Sequence, residues 1–281
     1  MGRTGRLVWF ASCIAFLAGT PALRVRAESS PATTIHQALL GESSLRTQEV
    51  STDELRRILA TKSALVLDAR PFLEYAVSHV PGARNVAAKP GVPMSLYVSD
   101  VAEIGRIVKG EKSAPIVLYC NGPFCGKSKR LAEELLGAGF TNVRRYQLGI
   151  PVWRALGGVC EIELAGLRHV LDQDRTAVLL DVREAEEFRK GSLPGARNIP
   201  RSLVREGKDV GEVKKAKDDG RLPMEDHNTR VLVVAADPAN ARYVAEAIAH
   251  EAFHNVSYFP GSISEIGDER PPPRSTGPTN E

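Results

Sequence analysis

Short apolar runs alternate along the chain with longer stretches in which apolar and polar positions recur at helical spacing. In the first half, Thr52 to Leu59 reads as a helix and Ala64 to Leu67 as a buried strand, followed by a helix near Pro71 to Ala76. Pro81-Gly82 marks a turn before a short strand at Arg84 to Val86. An amphipathic stretch, Tyr97 to Val108, leads to a second buried run, Ile116 to Tyr119. A helix over Lys127 to Leu136, a strand at Val143 to Tyr146 and a final helical turn around Val152-Trp153 complete the set. Strands that alternate with helices predict an α/β fold, a mainly parallel central sheet with helices on both faces.

The pattern then starts again. Leu67-Asp68-Ala69-Arg70 matches Leu180-Asp181-Val182-Arg183, and Pro81-Gly82-Ala83-Arg84-Asn85 matches Pro194-Gly195-Ala196-Arg197-Asn198. Ala132-Glu133, Phe140 and Asn142-Val143 find partners at Ala245-Glu246, Phe253 and Asn255-Val256, and every pair is 113 positions apart. Matching segments in one order at one offset mean two tandem copies of one domain. We assign residues 47–158 to the first and 159–267 to the second, a size usual for domains.

Composition adds limits rather than a class. With 43% hydrophobic and 25% charged residues the chain is ordinary globular protein, and a net charge of +3 with scattered basic residues gives no case for a nucleic-acid partner. The first 27 residues differ: Arg3 and Arg6 precede an apolar run from Leu7 to Ala18, and Val25-Arg26-Ala27 offers small residues for cleavage. This is a signal-peptide pattern, too short to span a bilayer, and it predicts a periplasmic or secreted protein with no stable membrane insertion. Residues 28–46 read as a linker or loosely held arm, and the Pro-rich polar segment 268–281 as a disordered tail. After cleavage three cysteines remain, Cys120, Cys125 and Cys160, too few for a disulfide scaffold. The dispersed histidines complete no zinc set with Cys120 and Cys125, and Gly105, Gly110 and Gly122 form no phosphate loop, so neither metal nor cofactor is expected.

The candidate chemistry lies in Pro115 to Ser128. Cys120 ends a buried strand, and a Gly/Pro-containing loop then opens a helix, the usual ligand position of α/β folds. The amides of that loop and the helix N-terminus favour negative charge, which predicts a lowered thiol pKa and a nucleophilic Cys120 thiolate.

These residues resemble the rhodanese family. Asp68-Ala69-Arg70, Glu74 and His79-Val80-Pro81-Gly82-Ala83 are similar to its D-x-R…E…H-[IV]-P-G-A signature, and Val117-Leu118-Tyr119-Cys120 to the strand leading to its active-site cysteine. Gly139-Phe140-Thr141-Asn142-Val143, Leu148-Gly149 and Trp153 resemble its closing segment. Ser78 stands where the family usually has glycine, and in the second copy Gly191 is present but Ser192 replaces the histidine. The resemblance implies a sulfurtransferase. Cys120 would carry sulfane sulfur as a persulfide, taken from a small sulfur-containing, thiosulfate-like anion and passed to a thiol, cyanide or a protein thiol. Asn121, Gly122, Pro123, Phe124, Cys125, Gly126 and Lys127 would form the substrate cradle, and Asp68, Arg70 and His79 would support it. Phe124 and Trp153 are candidate walls of the pocket.

The loop is longer than the family's usual one and holds a second cysteine, Cys125, which can receive sulfur, pair with Cys120 or simply pack. The second copy has Ala235 by strand alignment at the place of Cys120, and therefore predicts a catalytically silent domain that shapes the cleft, docks a partner or adds stability. Two other readings stay open: a non-catalytic binding or redox module with a Cys120–Cys125 disulfide, and a cysteine phosphatase or arsenate-reductase-like enzyme. The last lacks the arginine its oxyanion needs, since Gly126 stands in that place.

Overall fold

The structure is a computed structural model and describes residues 46–87 and 99–267. The leader over 1–27, nearly all of the arm over 28–46 and the tail over 268–281 lie outside those residues.

The first copy forms β1 (Gln48–Glu49), α1 (Thr52–Thr61), β2 (Leu65–Asp68), α2 (Phe72–Val77), β3 (Arg84–Asn85), α3 (Asp100–Ile107), β4 (Ile116–Tyr119), α4 (Gly126–Gly137), β5 (Val143–Tyr146) and α5 (Gly149–Ala155). The second continues with β6 (Cys160–Glu161), α6 (Leu164–Gln173), β7 (Val178–Asp181), α7 (Ala185–Lys190), β8 (Arg197–Asn198), α8 (Gly211–Asp218), β9 (Val231–Val234), α9 (Pro238–His250), β10 (Val256–Tyr258) and α10 (Ser264–Gly267). Each copy is a five-stranded sheet, ordered β1-β5-β4-β2-β3 and β6-β10-β9-β7-β8. Every strand pair within these two sheets is parallel, as alternating strands and helices require.

Strands buried on both faces explain the unbroken apolar runs. In the first sheet Leu67, Ile116 and Leu118 face Ile104 of α3 and Leu131 and Leu135 of α4. Val66, Val117 and Tyr119 face the opposite way, toward Leu55 and Ile58 of α1 and Trp153 of α5. Each of these large side chains contributes about 1.5–3 kcal/mol by leaving water, so the sheet is held rigidly where β4 delivers the loop. Ser51 caps α1 by accepting the Glu54 amide at 3.1 Å, and Ser99 caps α3 by accepting the Ala102 amide at 3.1 Å.

The two sheets meet along a polar seam. The backbones of His79 and Glu161 exchange two hydrogen bonds of 2.9 Å in an antiparallel bridge. The His79 ring stacks on Tyr75 at 3.9 Å, its Nδ1–H donates to the Tyr75 carbonyl at 2.9 Å, and Nε2 lies 3.3 Å from Glu161 Oε2. Tyr258 donates to Glu161 Oε1 at 2.7 Å and the Gly82 amide to Oε2 at 3.0 Å. Alongside, α6 runs close to α2: a Cβ on Gly166 would stand 2.0 Å from the Ala76 carbonyl oxygen, so only glycine fits.

Burial pushes the Glu161 carboxyl up, but His79, the Gly82 amide and the Tyr258 hydroxyl outweigh it and hold the group below its ordinary 4.5. The folded protein therefore binds fewer protons at Glu161 than the unfolded chain. The stability this adds is present above that ordinary value and is lost as pH falls through the lower folded one. Unfolding of wild type and Glu161→Gln, compared from pH 6 downward to about pH 3, should show the gap between them closing in acid. A gap independent of pH would assign Glu161 no titrating role at the seam.

Candidate active site

β4 ends at Tyr119 and delivers Cys120 to the bottom of the loop; α4 begins six residues later at Gly126, with Cys125 as its N-cap. Gly122 takes φ +104°, and the Cys125 amide donates back to its carbonyl at 3.0 Å, closing a turn around Pro123 and Phe124. The loop's first half rests on Gly149, where φ is +65° and an added Cβ would lie 2.3 Å from both the Cys120 carbonyl oxygen and the Gly122 nitrogen. The next amide, Ile150, donates to that same Cys120 carbonyl at 3.1 Å.

The two loop thiols stand in opposite situations. Cys120 is only 1% exposed; its Sγ donates to the Cys125 carbonyl at 3.1 Å and lies 3.3 Å from Ser128 Oγ. Burial pushes the Cys120 thiol up, and its hydrogen bond to the Cys125 thiol adds to this, against the lowering by the Ser128 hydroxyl and amide. The expectation of a lowered Cys120 is thus corrected: the field of the loop is present, but desolvation of a sealed sulfur exceeds it. Cys125 is half-buried. Burial raises it too, but the Cys120 thiol, the amides of Asn121 and Lys127 and the Lys127 ammonium together bring it below its ordinary value. Of the two loop thiols, Cys125 is the one whose surroundings favour ionisation. Cys120, Cys125 and Cys160 are all free thiols, with Cys160 sealed at the seam.

Of the remaining cradle residues, Asn121 is exposed and its Nδ2 donates to Glu74 Oε2 at 2.5 Å, tying the loop to α2. Gly126 and Lys127 are exposed in the first turn of α4, which carries no acidic residue to compete for an anion. Phe124, 95% exposed, walls nothing and stands at the loop tip. Trp153 also leaves the pocket: it is core, with its Nε1–H on the Val159 carbonyl at 2.8 Å.

The supporting residues separate. Asp68 and Arg70 form a buried pair beneath the loop: the Arg70 amide and Nε donate to Oδ1 at 2.9 and 3.0 Å, and Nη2 to Oδ2 at 2.5 Å. Arg70 Nη2 also reaches the Ser78 carbonyl at 2.6 Å. Ser78 itself is extended, φ −171°, which explains why no glycine is needed there, whereas its counterpart Gly191 takes φ +145°. His79 does not turn toward the loop; it belongs to the seam.

The second copy keeps the frame and loses the thiols. The Ile263 amide donates to the Ala235 carbonyl just as Ile150 does to Cys120, which fixes Ala235 as the counterpart. Asp181 and Arg183 repeat the ion pair, with the carboxylate buried and the arginine partly exposed, and Ser192 Oγ lies on Asp181 Oδ2 at 2.7 Å. At the N-cap of α9, where the first copy has Cys125, stands Asp237, accepting the Ala239 amide at 2.9 Å.

Two such sheets in one chain, one with the loop intact, match the model of the Rhodanese-like domain over residues 51–156 and again over 165–269. The chain belongs to the rhodanese family. Among curated rhodanese relatives it is 29% identical over 248 residues to a putative thiosulfate sulfurtransferase, SseB, of Mycobacterium tuberculosis, covering 72% of this chain and 85% of that one. It is also 29% identical over 108 residues to an HTH-type transcriptional regulator of the same organism, covering 38% of this chain and 42% of that one. Among solved structures, a thiosulfate sulfurtransferase from Pseudomonas aeruginosa aligns with TM-score 0.34 and 23% identity over 83% of this chain, which spans 46% of that one.

Serine 128, Glu74 and Gly149 join the site more closely than their place in the motifs indicates. Gly149 was visible only as the end of a Leu-Gly pair, and Ser128 only as the residue closing the loop. Among the described residues no three His, Cys, Asp or Glu side chains cluster as metal ligands.

Proposed function

We propose that this protein is an exported sulfurtransferase that moves sulfane sulfur from a thiosulfate-like anion to a thiophilic acceptor through a persulfide on Cys120. The observation that carries the reading is the position of Cys120 at the end of β4, against the acid-free N-terminus of α4, in a rhodanese-family domain. The relative named as a putative thiosulfate sulfurtransferase supports the donor class.

The chemistry needs three things. A thiolate attacks the sulfane sulfur, and sulfite leaves with the electron pair of the cleaved S–S bond. Amides at a helix start stabilise the anionic persulfide. An acceptor thiolate or cyanide then takes the outer sulfur and returns the cysteine thiolate. The loop supplies amides and a cation in Lys127, and no separate general base is required once a thiolate is present. The leader over residues 1–27 supports export, and among the described residues no helix is long and apolar enough to cross a membrane.

The test is intact mass of the mature protein after incubation with thiosulfate, followed by peptide mapping. The expected result is a gain of one sulfur, removed by cyanide and mapped to Cys120. A protein that takes up no sulfur and becomes two hydrogens lighter would instead be a redox or binding module holding a Cys120–Cys125 disulfide.

A further inference from the structure

The persulfide reading leaves a difficulty that the geometry resolves. Cys120 is sealed, with the Cys125 carbonyl and the Ser128 hydroxyl against its sulfur. Cys125, by contrast, is half-buried, occupies the N-cap of α4 and stands beside the exposed Lys127. The second copy is a control built into the chain: at the same N-cap stands Asp237, whose side chain accepts the Ala239 amide. An acceptor side chain at that position suits a helix start, and in the first copy the group placed there is a thiol.

We propose that Cys125 is the entry thiol, which takes the sulfane sulfur from the donor and hands it inward to Cys120. The inference rests on the sulfurtransferase reading and adds a second catalytic residue to it. In the first step the Cys125 thiolate attacks the sulfane sulfur, the donor's S–S bond breaks, sulfite leaves with the bonding pair, and Cys125 holds a persulfide anion. In the second, the Cys120 proton passes to the outer sulfur of that persulfide. The Cys120 thiolate then attacks the same sulfur; the bond to Cys125 breaks, and its electron pair returns to Cys125 as thiolate. The sum converts a Cys125 persulfide anion and a Cys120 thiol into a Cys125 thiolate and a Cys120 persulfide, with no oxidant or reductant consumed.

The direction follows from the surroundings of the two sulfurs. A thiol whose anion is stabilised is the better leaving group, and one whose anion is not is the stronger nucleophile. Cys125, facing the Asn121 and Lys127 amides, is the leaving group; buried Cys120 is the nucleophile. Sulfur therefore moves from the mouth of the loop to its floor, where water reaches it least.

The experiment loads wild type, Cys120→Ser and Cys125→Ser with thiosulfate, stops the reaction at intervals with an alkylating reagent and maps the sulfur. Wild type should hold it on Cys120. Cys120→Ser should trap it on Cys125, and Cys125→Ser should load Cys120 more slowly by about tenfold or more. Should Cys125→Ser load Cys120 at the wild-type rate, or Cys120→Ser take up nothing while wild type loads, the entry role is overturned and the sulfurtransferase reading stands. Wild type that takes up no sulfur overturns both. A second measurement needs no variant: a small alkylating reagent given to the sulfur-free protein should label Cys125 before Cys120, and the reverse order would also overturn the entry role.

Discussion

Cutting Asp68 back to alanine should lower the unfolding free energy by about 3–5 kcal/mol, read as a shift of the urea midpoint at unchanged slope. The carboxylate is 0% exposed and takes the Arg70 amide, Nε and Nη2, so its loss leaves a guanidinium, itself 3% exposed, bonded to the Ser78 carbonyl but without its counter-ion. A buried charge without its counter-ion costs its full desolvation. The second copy sets the scale within the same molecule. Asp181→Ala uncouples an equivalent pair, but the Arg183 side chain is 18% exposed and water can solvate it, so the loss should be clearly smaller. Equal losses at the two sites would mean that stability there depends on the loop hydrogen bonds and not on burial of the cation.

Gly149→Ala should damage the site more than the fold. A left-handed backbone at a residue with a Cβ costs about 1–3 kcal/mol. The added carbon would also stand 2.3 Å from the Cys120 carbonyl oxygen and the Gly122 nitrogen, both main-chain atoms that cannot rotate away. The loop must shift, and a displacement near 1 Å at a reacting centre lowers rate by about a hundredfold. Sulfur loading from thiosulfate measures this. Gly157→Ala is the matched control: φ is +78° but the space around it is open, so it should cost stability and leave loading intact. Loading unaffected in Gly149→Ala would show that the loop does not depend on this close approach.

The fold was legible because its strands are buried on both faces. Ile116 to Tyr119, an apolar run, and Val143 to Tyr146 have in the structure the bounds read from the sequence. The repeat carried the topology, since matched motifs at one offset require matched sheets. The acidity of Cys120 was not legible. Sequence shows that a cysteine precedes a helix, which lowers a thiol; it does not show that the carbonyl of Cys125 will close over the sulfur. The role of His79 was hidden for a related reason. Its partner Glu161 lies across the seam, and no local pattern marks a contact 82 positions away. Gly166 did leave a trace: its counterpart in the first copy is Glu54, and a glycine within one of two matched helices signals a close approach.

That seam also gives the pair of domains a polarity. The first copy offers a histidine at 79 and the second answers with a glutamate at 161; the answering positions reversed are Ser192, which turns inward to Asp181, and Glu49 on β1, which pairs with Arg145 as Glu161 pairs with Tyr258. The halves join like plug and socket. A permuted chain with the second domain placed ahead of the first would bring a serine already held by Asp181 to that glutamate, and the new junction would lack the imidazole that meets Glu161 in the natural order.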